Sequence, residues 1–428
     1  MNGRADGALS LDRLVALTAG VLVVMGSGLL AVADVPLARS LAAVLLIVWA
    51  LLRSTMTGWS VRLPRFVLPS LLLVALMVVG LITTGAPLYG AWKVVLIAVH
   101  WVAVPVAFLS LMRREAVLES FVAGLAAGGL MYGALLYATE GSPFALLTDA
   151  NRFFRLAVGT QNPIYLGRVL GLSLLAIFWA MGTRINVWFR LALFVSVPPL
   201  LGYLAATASK GPILGFLAAS AGYGAATGTL LGRMFAVVLV VALVLGLMVS
   251  YGAFRTESLA ELRVVSTAAL SVQQRVEGWG RAVEGYLGGG LPEMLFGGGT
   301  GDFAHFDRGT DVRHYPHNVF LEVLYENGVA GLSLLLWFLL WPLFRLSRLS
   351  GRALSAPRFR RLVPLGIGFY TFTLANAQVT GDVSTNELVP LSCAFILALS
   401  ALPVASEAAQ RVPIRQGHMA RDRALAEG

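Results

Sequence analysis

Apolar residues run along this chain in long blocks, broken by short polar links in which arginine is the commonest charge. The blocks lie near 14–33, 37–52, 66–84, 91–111, 116–138, 158–182, 187–206, 211–230, 234–254, 318–344, 362–380 and 386–403. Each is close to the ~20 residues a helix needs to cross the hydrocarbon of a bilayer, although the second is short and the tenth long. Lipid offers backbone amides no partner, so the blocks predict helices that satisfy their own hydrogen bonds. The pattern predicts an all-α, polytopic membrane protein with about 12 transmembrane helices. Helices 1–9 fall within 1–254, one large outer loop at 255–317, helices 10–12 within 318–403, and a tail at 404–428. In the loop, Leu259, Leu262, Val265 and Val276 recur among Arg and Glu, which predicts helix over Thr256 to Tyr286. The stretch from Leu287 to Pro316 is rich in Gly, Asp and His and predicts irregular backbone. No internal repeat is evident.

Composition removes the soluble alternative. The 428 residues are 57% hydrophobic and 13% charged, too little charge to cover a water-soluble domain. The net charge of +10 does not point to nucleic acid, because the basic residues concentrate in short links, where they report orientation and contact with anionic lipid. Their placement predicts both termini in the cytoplasm and 255–317 on the opposite face. Cys393 is the only cysteine, so no intrachain disulfide forms, and its apolar surroundings predict a packed side chain. Patterns for zinc, an EF-hand, a P-loop or a serine nucleophile are absent, and neither metal nor cofactor is expected.

Basic residues on the outer face call for a reason, and an anionic ligand is one. Arg152 and Arg155 flank an interfacial-looking stretch, and Arg168 lies inside the sixth block just after Asn162-Pro163. Lys210 ends the seventh block and Arg275 sits in Gln274-Arg275-Val276-Glu277. Arginine offers a planar fork to phosphate oxygens and lysine a compact point charge. Lys93 reads instead as an anchor snorkelling to the membrane surface. The run Arg313-His314-Tyr315-Pro316-His317-Asn318 precedes the tenth block, and Pro316 predicts the first turn of its helix. His317 then stands at a helix N-terminus, whose partial positive charge keeps an imidazole neutral and able to accept a proton. His305 and His314 fall in the irregular part of the loop and are expected to matter less. Asn318, Glu322 and Glu326 recur every four residues, so they share a face that meets a wet cavity or a cation, or else joins neighbouring helices. The glycine run from Leu295 to Phe303 predicts a tight turn that positions the loop.

Asn162-Pro163 with Gly167, Ser209-Lys210-Gly211, Arg275 with Trp279, Leu295-Phe296-Gly297 through Gly301-Asp302-Phe303, and Pro316-His317-Asn318 with Leu321, Glu322 and Gly328 together resemble the O-antigen ligase and polymerase superfamily of bacterial envelope glycosyltransferases. The resemblance covers about 160–331. It implies a GT-C-like enzyme of the bacterial inner membrane with its active site on the periplasmic side. The implied donor is a glycan on undecaprenyl diphosphate, and the acceptor is lipid A–core oligosaccharide for a ligase, another lipid-linked repeat for a polymerase or a protein serine for an O-oligosaccharyltransferase. The resemblance also implies His317 as the catalytic residue and Lys210 and Arg275 as donor diphosphate contacts, to which the membrane depth of Arg168, costly for an unpaired arginine, adds Arg168 as a third expected contact. Asn162, Asn318, Glu322, Glu326, Arg152, Arg155 and Arg313 are possible supports. Many relatives carry arginine where this chain has Lys210. An ion or lipid transporter using Arg168, Glu322 and Glu326 is the competing reading from another class.

Overall fold

A computed structural model describes residues 2–25, 41–57, 64–148, 156, 162–183, 185–207, 209–227, 263–348 and 357–402. The ninth expected span, residues 149–155 and 157 of the link 139–157, the start of the expected outer loop at 255–262 and the tail after 402 lie outside the described residues, and with them Arg152 and Arg155. Among the described residues the chain is helical throughout, without strands. The helices are α1 Asn2–Met25, α2 Leu41–Thr57, α3 Leu68–Gly80, α4 Pro87–Leu111, α5 Glu115–Glu140, α6 Pro143–Thr148, α7 Pro163–Met181, α8 Val187–Ala206 and α9 Lys210–Ala226. Then come α10 Arg263–Gly288, α11 Leu291–Phe296, α12 Asp302–Arg308, α13 Val319–Ser347, α14 Pro357–Ala377 and α15 Leu388–Ala401. Five of these, α4, α5, α7, α8 and α13, are each long and apolar enough to cross a bilayer, and α2, α3 and α15 are shorter apolar helices. The protein is a multi-pass membrane protein.

Without a hydrophobic force between helices in lipid, close backbone approach decides which pairs pack. Helices α1 and α5 meet on glycines: a Cβ on Gly20 would stand 2.2 Å from the Phe121 carbonyl, and one on Gly124 2.1 Å from that of Leu17. Two buried apolar clusters result. One joins α1, α2, α5, α7, α8, α9 and the second half of α4, the other joins α3, the first half of α4 and α13, and α14 contributes to both. Helix α15 belongs to both and is buried on nearly every face, as expected of a helix apolar all round. Cys393 lies there, fully buried.

The link 263–317 is more ordered than its composition predicts. Helix α10 runs to Gly288, and the expected irregular half holds α11 and α12 with the glycine run between them. That run docks into the bundle. Helix α13 breaks at Gly328, whose φ of 64° and ψ of −166° are not helical. A break inside a membrane helix frees carbonyls that need new partners. Here the amides of Gly298 and Gly299 reach Tyr325 and Glu326 carbonyls at 3.0 and 3.2 Å, while Thr300 donates its amide to Gly80. Gly297 has φ 88°, and a Cβ on it would lie 2.1 Å from the Glu326 carbonyl. Gly297→Ala is therefore expected to lower stability by about 2–4 kcal/mol through backbone strain and overpacking. Gly280→Ala, in open helix, is expected to be neutral or mildly stabilising. Thermal unfolding of the two purified variants checks the contrast, and equal melting temperatures would show that the run is not wedged.

Candidate active site

Helix α10 presents Gln274, Arg275, Gly278 and Arg281 along one face, and the segment leading into α13 brings Arg308, His314, Tyr315, Pro316 and His317 opposite them. Between them lies a pocket of about 350 Å³. Three guanidiniums line it. Arg281 pairs with Asp307, and so does His314, whose Nε2 is 2.5 Å from the carboxylate. His314 also stacks on Phe303. His314 thus shares the pocket with His317, because α12 folds the loop back. His305 instead packs against Gly85.

Pro316 does not open the helix. Asn318 is the cap, accepting the Phe320 and Leu321 amides at 3.0 and 3.1 Å, a role asparagine fills far better than histidine or proline. The chain turns just before it, at His317, with φ 60°, the only positive φ of a non-glycine residue among those described. Such a conformation costs on the order of 1–3 kcal/mol and marks a position held by its surroundings. The His317 ring sits edge-on to Tyr315 at 4.5 Å, and its buried Nδ1 has no hydrogen-bond partner among the described residues. Burial, then the charges of Arg275, His314 and Arg313, lower its pKa to about 4. The imidazole is accordingly neutral across the physiological range, by desolvation and neighbouring cations rather than by the helix terminus alone. Burial also lowers His314, against the pull of Asp307.

Behind the pocket lies a turn that the sequence reading passed over, 378–387 between α14 and α15. Asp382, fully buried, accepts from Tyr89 Oη at 2.8 Å, Arg313 Nε at 3.0 Å, Ser384 Oγ at 2.8 Å and both the amide and hydroxyl of Thr385. Burial alone would raise its carboxyl. Arg313, Lys93 and the Thr385 and Tyr89 hydrogen bonds outweigh that and hold it at about 2. Arg313 therefore braces this turn, with a second bond to Thr385 Oγ1 at 3.1 Å.

Arg168 also serves the turn. It donates to the carbonyl and hydroxyl of Thr380, to Asn386 Oδ1 at 2.9 Å and to the Thr385 carbonyl. It is 5% exposed and does not line the pocket. Asn162 caps α7 through the Ile164 amide. Lys210 is the exposed first residue of α9, beyond the pocket lining, and the neighbouring Gly211 packs on Val379 and Thr380. The turn thus links Lys210's helix, Arg168 and Arg313, while Arg275 and His317 are the candidates that share the pocket itself.

The expected anchor Lys93 is corrected outright. It is fully buried, with Nζ 2.5 Å from Glu322 and 2.6 Å from Glu326. Glu322 and Glu326 share a face as expected, and the ammonium of α4, not a wet cavity, satisfies them. The other Glu322 oxygen accepts the Val383 amide at 3.0 Å, so the cluster also pins the 378–387 turn. Among the described residues, no group of three or more His, Cys, Asp or Glu is arranged for a metal ion.

A search of curated proteins returned no match to this chain. Residues 195–336 match the family model described as O-antigen ligase. The matched stretch contains Lys210, all of α10 to α12, the pocket with Arg275 and His317, and the break at Gly328. Over residues 195–336 the chain carries the domain of the O-antigen ligase family.

Proposed function

We propose that the protein is an O-antigen ligase. It transfers O-antigen polysaccharide from undecaprenyl diphosphate to a hydroxyl of lipid A–core oligosaccharide, at the periplasmic face of the bacterial inner membrane. The observation that carries this reading is a neutral imidazole, His317, beside Arg275 in a pocket with two further guanidiniums, inside the matched stretch. The donor's diphosphate meets Arg275 and its neighbours, which stabilise the charge that grows on the leaving group. Lys210 stands where the donor approaches from the bilayer, and Arg168 contributes by holding the turn.

The acceptor hydroxyl oxygen attacks the anomeric carbon as the bond from that carbon to the diphosphate oxygen breaks. The configuration inverts, the hydroxyl proton passes to the His317 imidazole, and undecaprenyl diphosphate leaves. Burial, Arg275, His314 and Arg313 hold the His317 pKa near 4. A bound diphosphate offsets the field of Arg275 and Arg313, so His317 becomes more basic when the donor is in place, which suits a general base.

A polymerase has the same donor chemistry and differs in taking a second lipid-linked repeat as acceptor. The break in α13 beside buried Lys93, Glu322 and Glu326 is the one feature a transporter would share. The glycine run fills that break, which favours a fixed support over a gate.

Reconstitution with purified lipid-linked glycan and rough lipopolysaccharide tests the assignment. A shift of the lipopolysaccharide to a slower, laddered band supports a ligase, and growth of the lipid-linked chain alone replaces it with a polymerase. Arg275→Ala and Lys210→Ala are each expected to weaken donor binding and lower turnover, with Arg275→Ala the more severe because its fork lies in the pocket. Lys210→Arg is expected to keep activity. Normal kinetics in both alanine variants would move the diphosphate elsewhere.

A further inference from the structure

At the end of the bundle opposite His317, where α7 finishes, a groove of about 840 Å³ opens between α5, α7 and α8. Its long wall is α5. From Glu119 to Met131 this wall runs about 18 Å at 1.5 Å per residue, close to the ~15 Å of one leaflet's hydrocarbon. Ala123, Ala127 and Met131 make that wall shallow and apolar, and Phe189 and Leu193 of α8 face it. The charged mouth holds both signs: Arg13 and Arg361 with Glu115 and Glu119. Glu119 lies within electrostatic reach of the other three.

One polar group inside has no partner. Trp179 is 5% exposed, lines the groove, and its indole N–H finds no acceptor among the described residues. Buried tryptophan N–H groups ordinarily have one, and a missing partner points to something that binds there. Hydrocarbon chains cannot accept this bond, whereas the ester or phosphate oxygen of a glycerolipid can.

We propose that the groove is a binding site for one phospholipid with a zwitterionic, phosphate-plus-ammonium headgroup such as phosphatidylethanolamine. Its phosphate meets Arg13 and Arg361, its ammonium meets Glu115 and Glu119, an ester or phosphate oxygen accepts from Trp179, and an acyl chain fills the lane beside Ala123 and Ala127. A purely anionic headgroup would set its charge against two carboxylates without an ammonium to offset them, which selects the zwitterion. The site is separate from the transfer pocket and does not depend on the proposed reaction.

Native mass spectrometry of the full chain, purified in mild detergent and offered phosphatidylethanolamine or phosphatidylglycerol, tests it. One phosphatidylethanolamine is expected to survive collisional activation that strips phosphatidylglycerol. Trp179→Phe keeps the ring but removes the N–H and is expected to bind about five-fold more weakly. Ala127→Trp fills the lane and is expected to abolish retention. Should that variant fail to fold, the headgroup comparison on the unaltered chain and Trp179→Phe still decide. Equal retention of both phospholipids, full binding by Trp179→Phe, or recovery of a polyprenyl phosphate in place of the phospholipid would overturn the proposal.

Discussion

His317→Ala is expected to lower turnover by about 10²–10⁴-fold, the usual loss when a general base is removed, with donor binding nearly intact. The backbone at His317 makes the choice of variant informative. Its φ of 60° is open to glycine without penalty and to asparagine at little cost, but alanine strains there. His317→Gly is therefore expected to be at least as stable as the parent and as inactive as His317→Ala. A loss confined to the alanine variant would trace to folding and not to the imidazole.

The pH profile separates a base from a mere contact. With the pKa lowered to about 4 by burial, Arg275, His314 and Arg313, kcat/KM, which reports the free enzyme, is expected to stay level down to about pH 4 before it falls. The profile of kcat reports the bound state, and its acid limb is expected at higher pH because the diphosphate offsets the cations. Arg275→Ala is expected to move the kcat/KM limb upward. A limb near the ordinary histidine value in both profiles would contradict this account. Folding follows the same sign. A folded pKa below the unfolded one means the unfolded chain binds the proton more readily, so stability is lost as pH falls from about 6.5 toward 4.

The helical plan was legible because each crossing must satisfy its own backbone, so a long apolar run has few alternatives. Most of the expected blocks coincide with helices in the described residues, such as 187–206 with α8 and 318–344 with α13. Arg275 was legible as an outer-face arginine on the predicted loop helix and His317 as a histidine beside a proline turn signal, and the pocket brings them together. The turn at 378–387 was not. It looks like one more link between apolar runs, although its density of polar residues, Gln378, Thr380, Asp382, Ser384, Thr385, Asn386 and Glu387, was a signal. Its function as a hub depends on Arg168 and Arg313, both far away in sequence. Pro316 misled because proline and asparagine compete for the same helix end, and the side chain that can accept two amides prevails. Lys93 misled because a lysine near the edge of an apolar run ordinarily snorkels, and nothing local announces two glutamates 229 and 233 residues later.

That correction yields the largest effect expected on stability. A snorkelling lysine can be replaced by alanine at little cost. A fully buried ammonium between two carboxylates cannot, because its loss leaves both acids buried without their cation, typically at about 3–5 kcal/mol. Lys93→Ala is expected to lower the melting temperature sharply and to lower activity with it, since Glu322 also holds Val383 and thereby the turn that braces Arg313. Neutralising the acids should rescue it. The triple variant Lys93→Met, Glu322→Gln, Glu326→Gln removes every charge of the cluster and keeps an oxygen at 322 to accept the Val383 amide, so most of the lost stability is expected to return. Lys93→Met alone, which matches the side chain in bulk, separates charge from packing: it is expected to be nearly as damaging as alanine. Thermal unfolding in lipid nanodiscs reads all of these. If Lys93→Met melts with the parent, the ammonium does not hold the carboxylates, and the support inferred for the 378–387 turn falls with it.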